Sequence, residues 1–344
     1  MKKILVTGGT GYIGSHTTVE LIMAGYDVIV IDNLSNSRAE VIDAVQKITN
    51  VRPAFFEFDL CNKNAVADFF LKNRVDAIIH FAAFKAVGKS VENPLKYYQN
   101  NLVSLMNLLE THATFAELNM VFSSSCSVYG DTTTLPVTED TPFSKPESPY
   151  GNTKQISEEI LRDCCKANKN MKVSALRYFN PAGAHDSALI GEYPLEAPNN
   201  LVPVITQTAI GKRKELVIYG NDYDTPDGTC IRDYIHVVDI AKAHVVAVDR
   251  LLGKKNKQSY KVFNLGTGQG NSVLEAVKAF EKVTGVKLNY RIGVRREGDV
   301  VKVYADTSKA NKELGWKAAL TLENIMSSAW AWEQALDKKQ LHKI

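Results

Sequence analysis

The chain has no long apolar run. None of its segments approaches the roughly 18 apolar residues that a membrane-spanning helix requires, so no membrane partner is expected. It has almost no charge imbalance: 41 basic against 38 acidic residues leave a net charge of +3 over 344 residues. Nucleic-acid-binding and membrane-surface proteins carry a basic excess or stripe, so no nucleic acid is expected either. Cysteines are few: Cys61, Cys126, Cys164, Cys165 and Cys230. Their spacing is that of no metal site, so no metal is expected. An odd count, with no apolar leader ahead of the first strand-like run, suits a reducing cytoplasm. Repeats and low-complexity tracts are absent too. A chain of this length buries roughly three quarters of its unfolded surface and needs no covalent staple.

What is present begins at once. The apolar run Ile4-Leu5-Val6 reads as a buried strand, breaks into Gly8-x-x-Gly11-x-x-Gly14, and is followed by a helical pattern over Ser15–Ala24. Glycines there let the backbone turn sharply and approach a pyrophosphate, and the helix N-terminus offers it free N–H groups. A second apolar run, Val28–Ile31, ends in Asp32, 18 residues after Gly14. A carboxylate at that point accepts both hydroxyls of an adenosine ribose and repels a 2′-phosphate, which selects NAD over NADP.

Further strand candidates are Ala54–Phe58, Ala77–His80, Met120–Ser123 and Val173–Arg177, with helical patterns between them, notably Leu95–Leu118 and Thr153–Ala167. Near-continuous apolar strands alternating with helices imply an α/β fold, a doubly wound parallel sheet of the Rossmann type. After Asn180-Pro181 the texture becomes loop-rich, as binding loops are. The expected division is an NAD-binding domain over 1–180 and a smaller α/β substrate domain over 181–344, the chain returning to the first domain around 237–263. A second glycine cluster, Gly266-Thr-Gly268-Gln-Gly270, lacks the acid that should close the next strand. Leu288–Ile292 carries Arg291 there, so the cluster reads as a turn in the second domain.

Tyr150 and Lys154 form a Tyr-x-x-x-Lys pair. On a helix this spacing brings both side chains to one face, about 6 Å apart along the axis. An ammonium beside a phenol favours the phenolate and lowers its pKa from about 10. Ser123-Ser124-Ser125 ends an apolar strand 25 residues earlier, and a hydroxyl there can share a proton with Tyr150.

At this point the chain resembles the extended short-chain dehydrogenase/reductase family over nearly its whole length. The carrying segments are Thr7–Gly14, His80–Ala83, Ser123–Gly130 and Ser148–Lys154. Phe84–Gly88, Leu176–Pro181, Asn199–Leu201, Asp227–Tyr234 and Arg295–Asp299 are similar in particular to the branch that inverts the 4-hydroxyl of UDP-hexoses. The resemblance implies interconversion of UDP-glucose and UDP-galactose through a 4-keto intermediate with tightly bound NAD. Tyr150 would be the base, Ser125 a proton relay and Lys154 the charge that keeps Tyr150 acidic. It assigns the cofactor to Gly8, Gly11, Tyr12, Ile13, Gly14, Asp32, Asn33, Asn36, Ser37, Asp59, Leu60, Phe81, Ala82, Lys85, Asn100, Tyr150, Lys154 and Phe179. It assigns the nucleotide sugar to Lys85, Ser125, Tyr150, Asn180, Asn200, Leu201, Val217, Tyr219, Arg232, Arg296, Asp299 and Val303. The two arginines suit a diphosphate because a guanidinium forks onto two oxygens.

Two alternatives share these features. Related dehydratases and decarboxylases use an extra acid and base, but Cys126 and Ser127 stand where those residues belong. A non-catalytic NAD-binding scaffold would lack the tyrosine or the lysine. Val303 replaces a tyrosine of the best-known bacterial relatives, and a small residue there goes with acceptance of N-acetylated hexosamines, UDP-GlcNAc and UDP-GalNAc. Leu102, Leu105, Leu108, Ile156, Ile160 and Leu161 spread over more than one helix face, and the resemblance implies a homodimer through these helices.

Overall fold

The apolar runs become one seven-stranded, all-parallel sheet. The computed structural model describes residues 1–112, 117–195, 197–296 and 299–341. Its first half alternates β1 (Lys3–Thr7), α1 (Tyr12–Met23), β2 (Asp27–Asp32), α2 (Glu40–Thr49), β3 (Ala54–Glu57), α3 (Lys63–Lys72) and β4 (Ala77–His80). Then come α4 (Val87–Glu92), α5 (Pro94–His112), β5 (Leu118–Ser125), α6 (Pro149–Ala167) and β6 (Met171–Tyr178). The second half holds β7 (Asn180–Ala182), α7 (Leu201–Ala209), β8 (Leu216–Tyr219), β9 (Ile231–Arg232), β10 (Tyr234–His236), α8 (Val237–Leu252) and β11 (Tyr260–Leu265). It closes with β12 (Asn271–Ser272), α9 (Val273–Thr284), β13 (Tyr290–Gly293), β14 (Lys302–Val303) and α10 (Leu322–Leu341).

The sheet order is β11-β6-β5-β4-β1-β2-β3. Successive side chains of a strand face opposite ways, and both faces are covered. Ile4, Val6, Val28 and Val30 pack with Leu21 of α1 and with Ile240, Ala247 and Leu251 of α8. Leu5, Ile29 and Ile31 pack with Phe69 and Phe70 of α3, Leu105 and Leu108 of α5, and Leu161 of α6. That double coverage is why the strands read as continuous apolar runs. From β1 the chain moves outward through β2 and β3, then returns to build β4, β5 and β6 on the other side. The order reverses between β1 and β4, and such a switch point opens a crevice at the strands' C-terminal ends.

Several boundaries differ from the sequence reading, with β5, β6 and α6 each beginning earlier than expected. Helix α1 starts at Tyr12, with Gly11 extended ahead of it, so Gly14 lies inside the first turn rather than before it. The pattern read as a helix to Leu118 ends at His112, and Leu118 already opens β5. Residues 113–116 of that pattern lie outside the described residues.

The chain re-enters the first sheet late. Helix α8 packs against α1, and β11 pairs with β6 in parallel. The remaining strands form three small sheets, β10-β7, β12-β9-β14 and β13-β8. The strands β7, β8 and β10 lie with α7, α9 and α10 over a separate core of Ile205, Leu216, Ile218, Phe280, Ile325 and Met326. The second glycine cluster is the turn between β11 and β12, and it encloses a carboxylate of the chain itself. Asp233 accepts hydrogen bonds from the Thr267 N–H (2.8 Å), the Thr267 hydroxyl (2.7 Å), the Gly268 N–H (3.2 Å) and the Ala305 N–H (3.1 Å). A Cβ on Gly266 would stand 2.3 Å from Asp233 Oδ2, so only glycine permits this approach.

Four histidines are buried with their basicity suppressed by desolvation: His16 and His80 to about 3, His236 and His244 to about 4. Unfolded histidine titrates near 6.5. Below that pH the unfolded chain binds more protons than the folded one, so stability falls with acidification. Each histidine contributes up to about 1.4 kcal/mol per pH unit. Thermal denaturation should give a clearly lower Tm at pH 5 than at pH 7. An unchanged Tm would mean that these side chains are not held neutral by the fold.

Candidate active site

The crevice at the switch point is a cavity of about 450 Å³. Its floor is the first glycine turn. The Gly8 N–H donates to Ile31 O at 2.7 Å, and the Ser15 N–H donates to Gly11 O at 2.9 Å. A Cβ on Gly14 would lie 2.2 Å from Gly8 O. The turn therefore closes only with glycine at 14, which brings strand and helix into the close packing a dinucleotide cradle needs.

Asp32 ends β2 beside this turn. Its Oδ1 accepts from the Leu34 N–H and the Ser37 hydroxyl, both at 3.0 Å, and its Oδ2 from the Thr10 N–H at 3.2 Å. Three donors fix the carboxylate's orientation before any ribose arrives. Every residue assigned to the dinucleotide, from Gly8 to Phe179, lines this cavity.

Tyr150 and Lys154 line the same cavity. Ser148 caps α6, its Oγ accepting from the Gly151 N–H at 3.2 Å, and Pro149 opens the helix. This places Tyr150 in the first turn and Lys154 one turn on. Lys154 Nζ donates to Ser123 O at 2.6 Å, lies 4.9 Å above the Phe122 ring and stands 5.9 Å from the Tyr150 ring centre. Ser125, at the end of β5, caps the tight turn Cys126–Tyr129 by accepting from the Ser127 N–H at 3.2 Å.

The electrostatics correct one expectation. Burial pushes the Tyr150 phenol up to about 12, opposed by its hydrogen bond with Ser125. The sequence reading had Lys154 pulling it down. Burial also brings the Lys154 ammonium down to about 8, against the nearby Glu158 carboxylate. Both groups are dry, and Nζ is committed to a backbone carbonyl, so desolvation of the phenol outweighs the neighbouring cation.

The residues assigned to the nucleotide sugar fall into two groups. Lys85, Ser125, Tyr150, Asn180 and Asn200 line the cavity. Leu201, Val217, Tyr219, Arg232, Arg296, Asp299 and Val303 stand outside its wall. Leu201 is the first residue of α7, directly after Asn200. The others converge across the small sheets. Arg296 Nη2 donates to Asp299 Oδ1 at 2.5 Å, and Arg232 Nη2 lies 3.7 Å from the same oxygen. The Arg296 guanidinium lies 5.6 Å over the Tyr219 ring of β8, the strand that also carries Val217. Val303 pairs in register with Arg232 and packs against the cluster that includes Cys126 and Phe179, both on the cavity wall. Glu297 and Gly298, quoted within the Arg295–Asp299 segment, lie outside the described residues.

Several wall residues escaped the sequence reading: Arg38, Glu192, Tyr193 and Trp332. The loop-rich texture after Asn180 was the only signal for Glu192 and Tyr193. Trp332 gave none, because it reaches the cavity from the last helix. Among the described residues, no group of three or more His, Cys, Asp or Glu is placed to hold a metal ion. Among them too, no helix is long and apolar enough to cross a membrane.

A family model described as GDP-mannose 4,6 dehydratase matches residues 5–329. The UDP-glucose 4-epimerase of Bacillus subtilis is 51% identical over 332 residues, covering 96% of this chain and 97% of its own. The chain belongs to the UDP-glucose 4-epimerase family. A crystal structure of the epimerase from Stenotrophomonas maltophila, with bound NAD and formylated UDP-arabinopyranose, superposes with a TM-score of 0.94 at 43% identity, covering 98% of this chain and 100% of that one. The UDP-Glc/GlcNAc 4-epimerase of Campylobacter jejuni superposes with a TM-score of 0.84 at 42% identity, covering 97% and 100%. The sequence reading expected related dehydratases to carry an extra acid at the position after the strand-end serine. Here that position holds Cys126, whose thiol burial pushes up to about 12, and then Ser127. Neither is an acid able to protonate a departing hydroxyl near neutral pH.

The cradle makes a direct prediction. Gly14→Ala forces a methyl group against Gly8 O, and overpacking of this kind costs about 1–3 kcal/mol. Dinucleotide affinity, measured by calorimetry, should fall about ten- to a hundredfold. Unaltered affinity would show that the turn is not the dinucleotide floor.

Proposed function

We propose that the protein interconverts UDP-glucose and UDP-galactose by inverting the hexose 4-carbon through a 4-keto sugar, with NAD held throughout. One observation carries this reading: the Tyr150, Lys154 and Ser125 group and the glycine cradle with Asp32 open into one cavity. Bound NAD supplies a reversible acceptor for the hydride at that carbon. The glycine turn and the N-terminus of α1 would hold its diphosphate, and Asp32 its adenosine ribose.

The chain's own residues do the proton work. Tyr150 takes the proton of the 4-hydroxyl and returns it after the sugar has turned. Ser125, its hydrogen-bond partner, relays that proton. With its phenol held at about 12, Tyr150 is almost wholly protonated at neutral pH, so the reaction depends on positive charge near the ring in the loaded site to favour the phenolate. Lys154 provides the chain's share of it. In so dry a site that charge acts far more strongly than in water. Arg232 and Arg296, which share the Asp299 carboxylate, would take the substrate diphosphate.

The same reading extends to assembly and location. Val91, Leu95 and Met106 leave apolar surface exposed on α4 and α5, at 60%, 80% and 39%, which suits packing against a second copy. The five cysteines are all unpaired, which suits a reducing cytoplasm.

Two experiments test the function. Purified protein given UDP-glucose and no added NAD should form UDP-galactose, and its denatured supernatant should contain NAD. Tyr150→Phe should lower turnover by at least about 100-fold with folding intact. Near-normal turnover in that variant would remove Tyr150 from the chemistry. The second concerns Val303, which packs behind the cavity wall at Phe179. Wild type should also interconvert the N-acetylated UDP-hexosamines. Val303→Tyr should cost those substrates about ten- to a hundredfold in rate while leaving the plain hexoses little changed. Absence of any N-acetylhexosamine activity in wild type would refute the Val303 reading and leave the epimerase reading standing.

A further inference from the structure

The segment Leu189–Pro194 has no regular structure, yet it is fastened at both ends of the cavity. Ile190 is 2% exposed and packs with Val19 of α1 and Val45 of α2, in the cofactor domain. Glu192 Oε1 accepts from Lys85 Nζ and from Asn200 Nδ2, both at 3.0 Å. Lys85 follows β4 on the cofactor side, and Asn200 caps α7 on the substrate side. The Glu192 carbonyl accepts from Trp332 Nε1 of α10 at 3.0 Å. The Arg38 guanidinium lies 4.4 Å over the Tyr193 ring, whose edge meets Trp332. One short strap therefore spans the cavity, and one carboxylate oxygen on it joins a group from each side.

A carboxylate is a costly choice in a cavity that must accept diphosphates. It would repel them unless cations and amides of the chain neutralise it, as Lys85 and Asn200 do here. Its side chain is only 10% exposed, so opening the strap would strip those partners from a largely buried charge and draw Ile190 out of its apolar contact. Both consequences oppose opening. A redox-neutral cycle uses its cofactor twice per turnover and gains nothing from releasing it.

Resting on the function proposed above, we propose that Glu192 is a positioning residue that clasps the strap Leu189–Pro194 across the cavity and sets how slowly NAD escapes. The Arg38–Tyr193 contact is the second fastening of the same clasp. Glu192 touches no reacting atom in this scheme. It acts by holding the two sides of the cavity together.

The test uses the purified holoenzyme. Wild type, Glu192→Ala, Glu192→Gln and Arg38→Met are incubated with excess isotopically labelled NAD, and incorporation of label is followed after rapid desalting. Glu192→Ala should exchange at least about tenfold faster than wild type. Glu192→Gln, which keeps an acceptor for Asn200 but loses the ion pair, should fall between them. Arg38→Met should also exchange faster. On dilution without added NAD, Glu192→Ala should lose epimerase activity and regain it when NAD is restored, which a misfolded variant would not do. Exchange within about twofold of wild type in both Glu192→Ala and Arg38→Met overturns the clasp. If Glu192→Ala does not fold, Arg38→Met decides alone. A wild type that carries no NAD and shows no epimerase activity overturns the underlying function as well, so the two failures are distinct.

Discussion

The cavity wall that carries Tyr150, Lys154 and Ser125 rests on one buried ion pair. Arg177 of β6 and Glu158 of α6 meet at 2.7 Å, with side chains 3% and 0% exposed. Burial works against the carboxylate's charge, yet Arg177 holds it below its ordinary range. Glu158 also accepts from the Ser124 hydroxyl at 2.5 Å and the Tyr260 hydroxyl at 2.9 Å. Arg177 spends its remaining nitrogen on the Tyr129 hydroxyl at 2.8 Å and Glu139 O at 3.3 Å. A buried pair is tolerable only when its other lone pairs and protons are satisfied in this way, and removing one partner typically costs about 3–5 kcal/mol. The network joins α6, β5, β6 and β11. Ser124 lies between Ser123, whose carbonyl receives Lys154, and Ser125, so the anchor fixes the strand end beside which Tyr150 and Lys154 stand.

Dryness then governs the chemistry. The fold that positions Tyr150 and Lys154 also strips them of water, which makes each less willing to carry charge. The phenol resists losing its proton and the ammonium holds its own less firmly. Neither group is reactive by its own constitution. Reactivity belongs to the loaded site, where charge brought by ligands meets a low-dielectric wall. The ionic cluster of Arg232, Arg296 and Asp299 follows the opposite logic. Arg296 is 55% exposed at its side chain, against 17% for Arg232 and 13% for Asp299, so Arg296 is the wet arm of the cluster and better suited to capture than to catalysis.

Much of this was legible in the sequence, for local reasons. Five strands of the sheet announce themselves because burial on both faces demands unbroken apolar runs, whereas β3, at the edge, is largely exposed. The cradle is legible because Gly8, Gly14 and Asp32 belong to one strand–helix–strand unit, where spacing along the chain fixes distance in space. Tyr150 and Lys154 are legible because one helical turn separates them. The rest depends on contacts that no local pattern encodes. Glu192 gains its meaning chiefly from Lys85 and Trp332, which lie 107 and 140 residues from it in sequence. The rise in Tyr150 basicity comes from burial by several elements together, and a reading from its nearest charged neighbour gets the sign wrong. The edge position of β11 follows from its pairing with β6, since the strand's own residues fit several places in an α/β fold.

The turn at Gly266–Gly270 has a bearing on stoichiometry. It is built as phosphate-binding turns are, with glycines and inward N–H groups, and it already encloses Asp233. That carboxylate is covalently part of the chain, so its effective concentration at the turn exceeds any free phosphate a cell supplies. A competing anion would have to displace a tethered one and leave it buried without its donors. The second loop is thus an internal lock between β11 and the small sheet, permanently saturated. Of the two glycine turns, only the first is open to a dinucleotide.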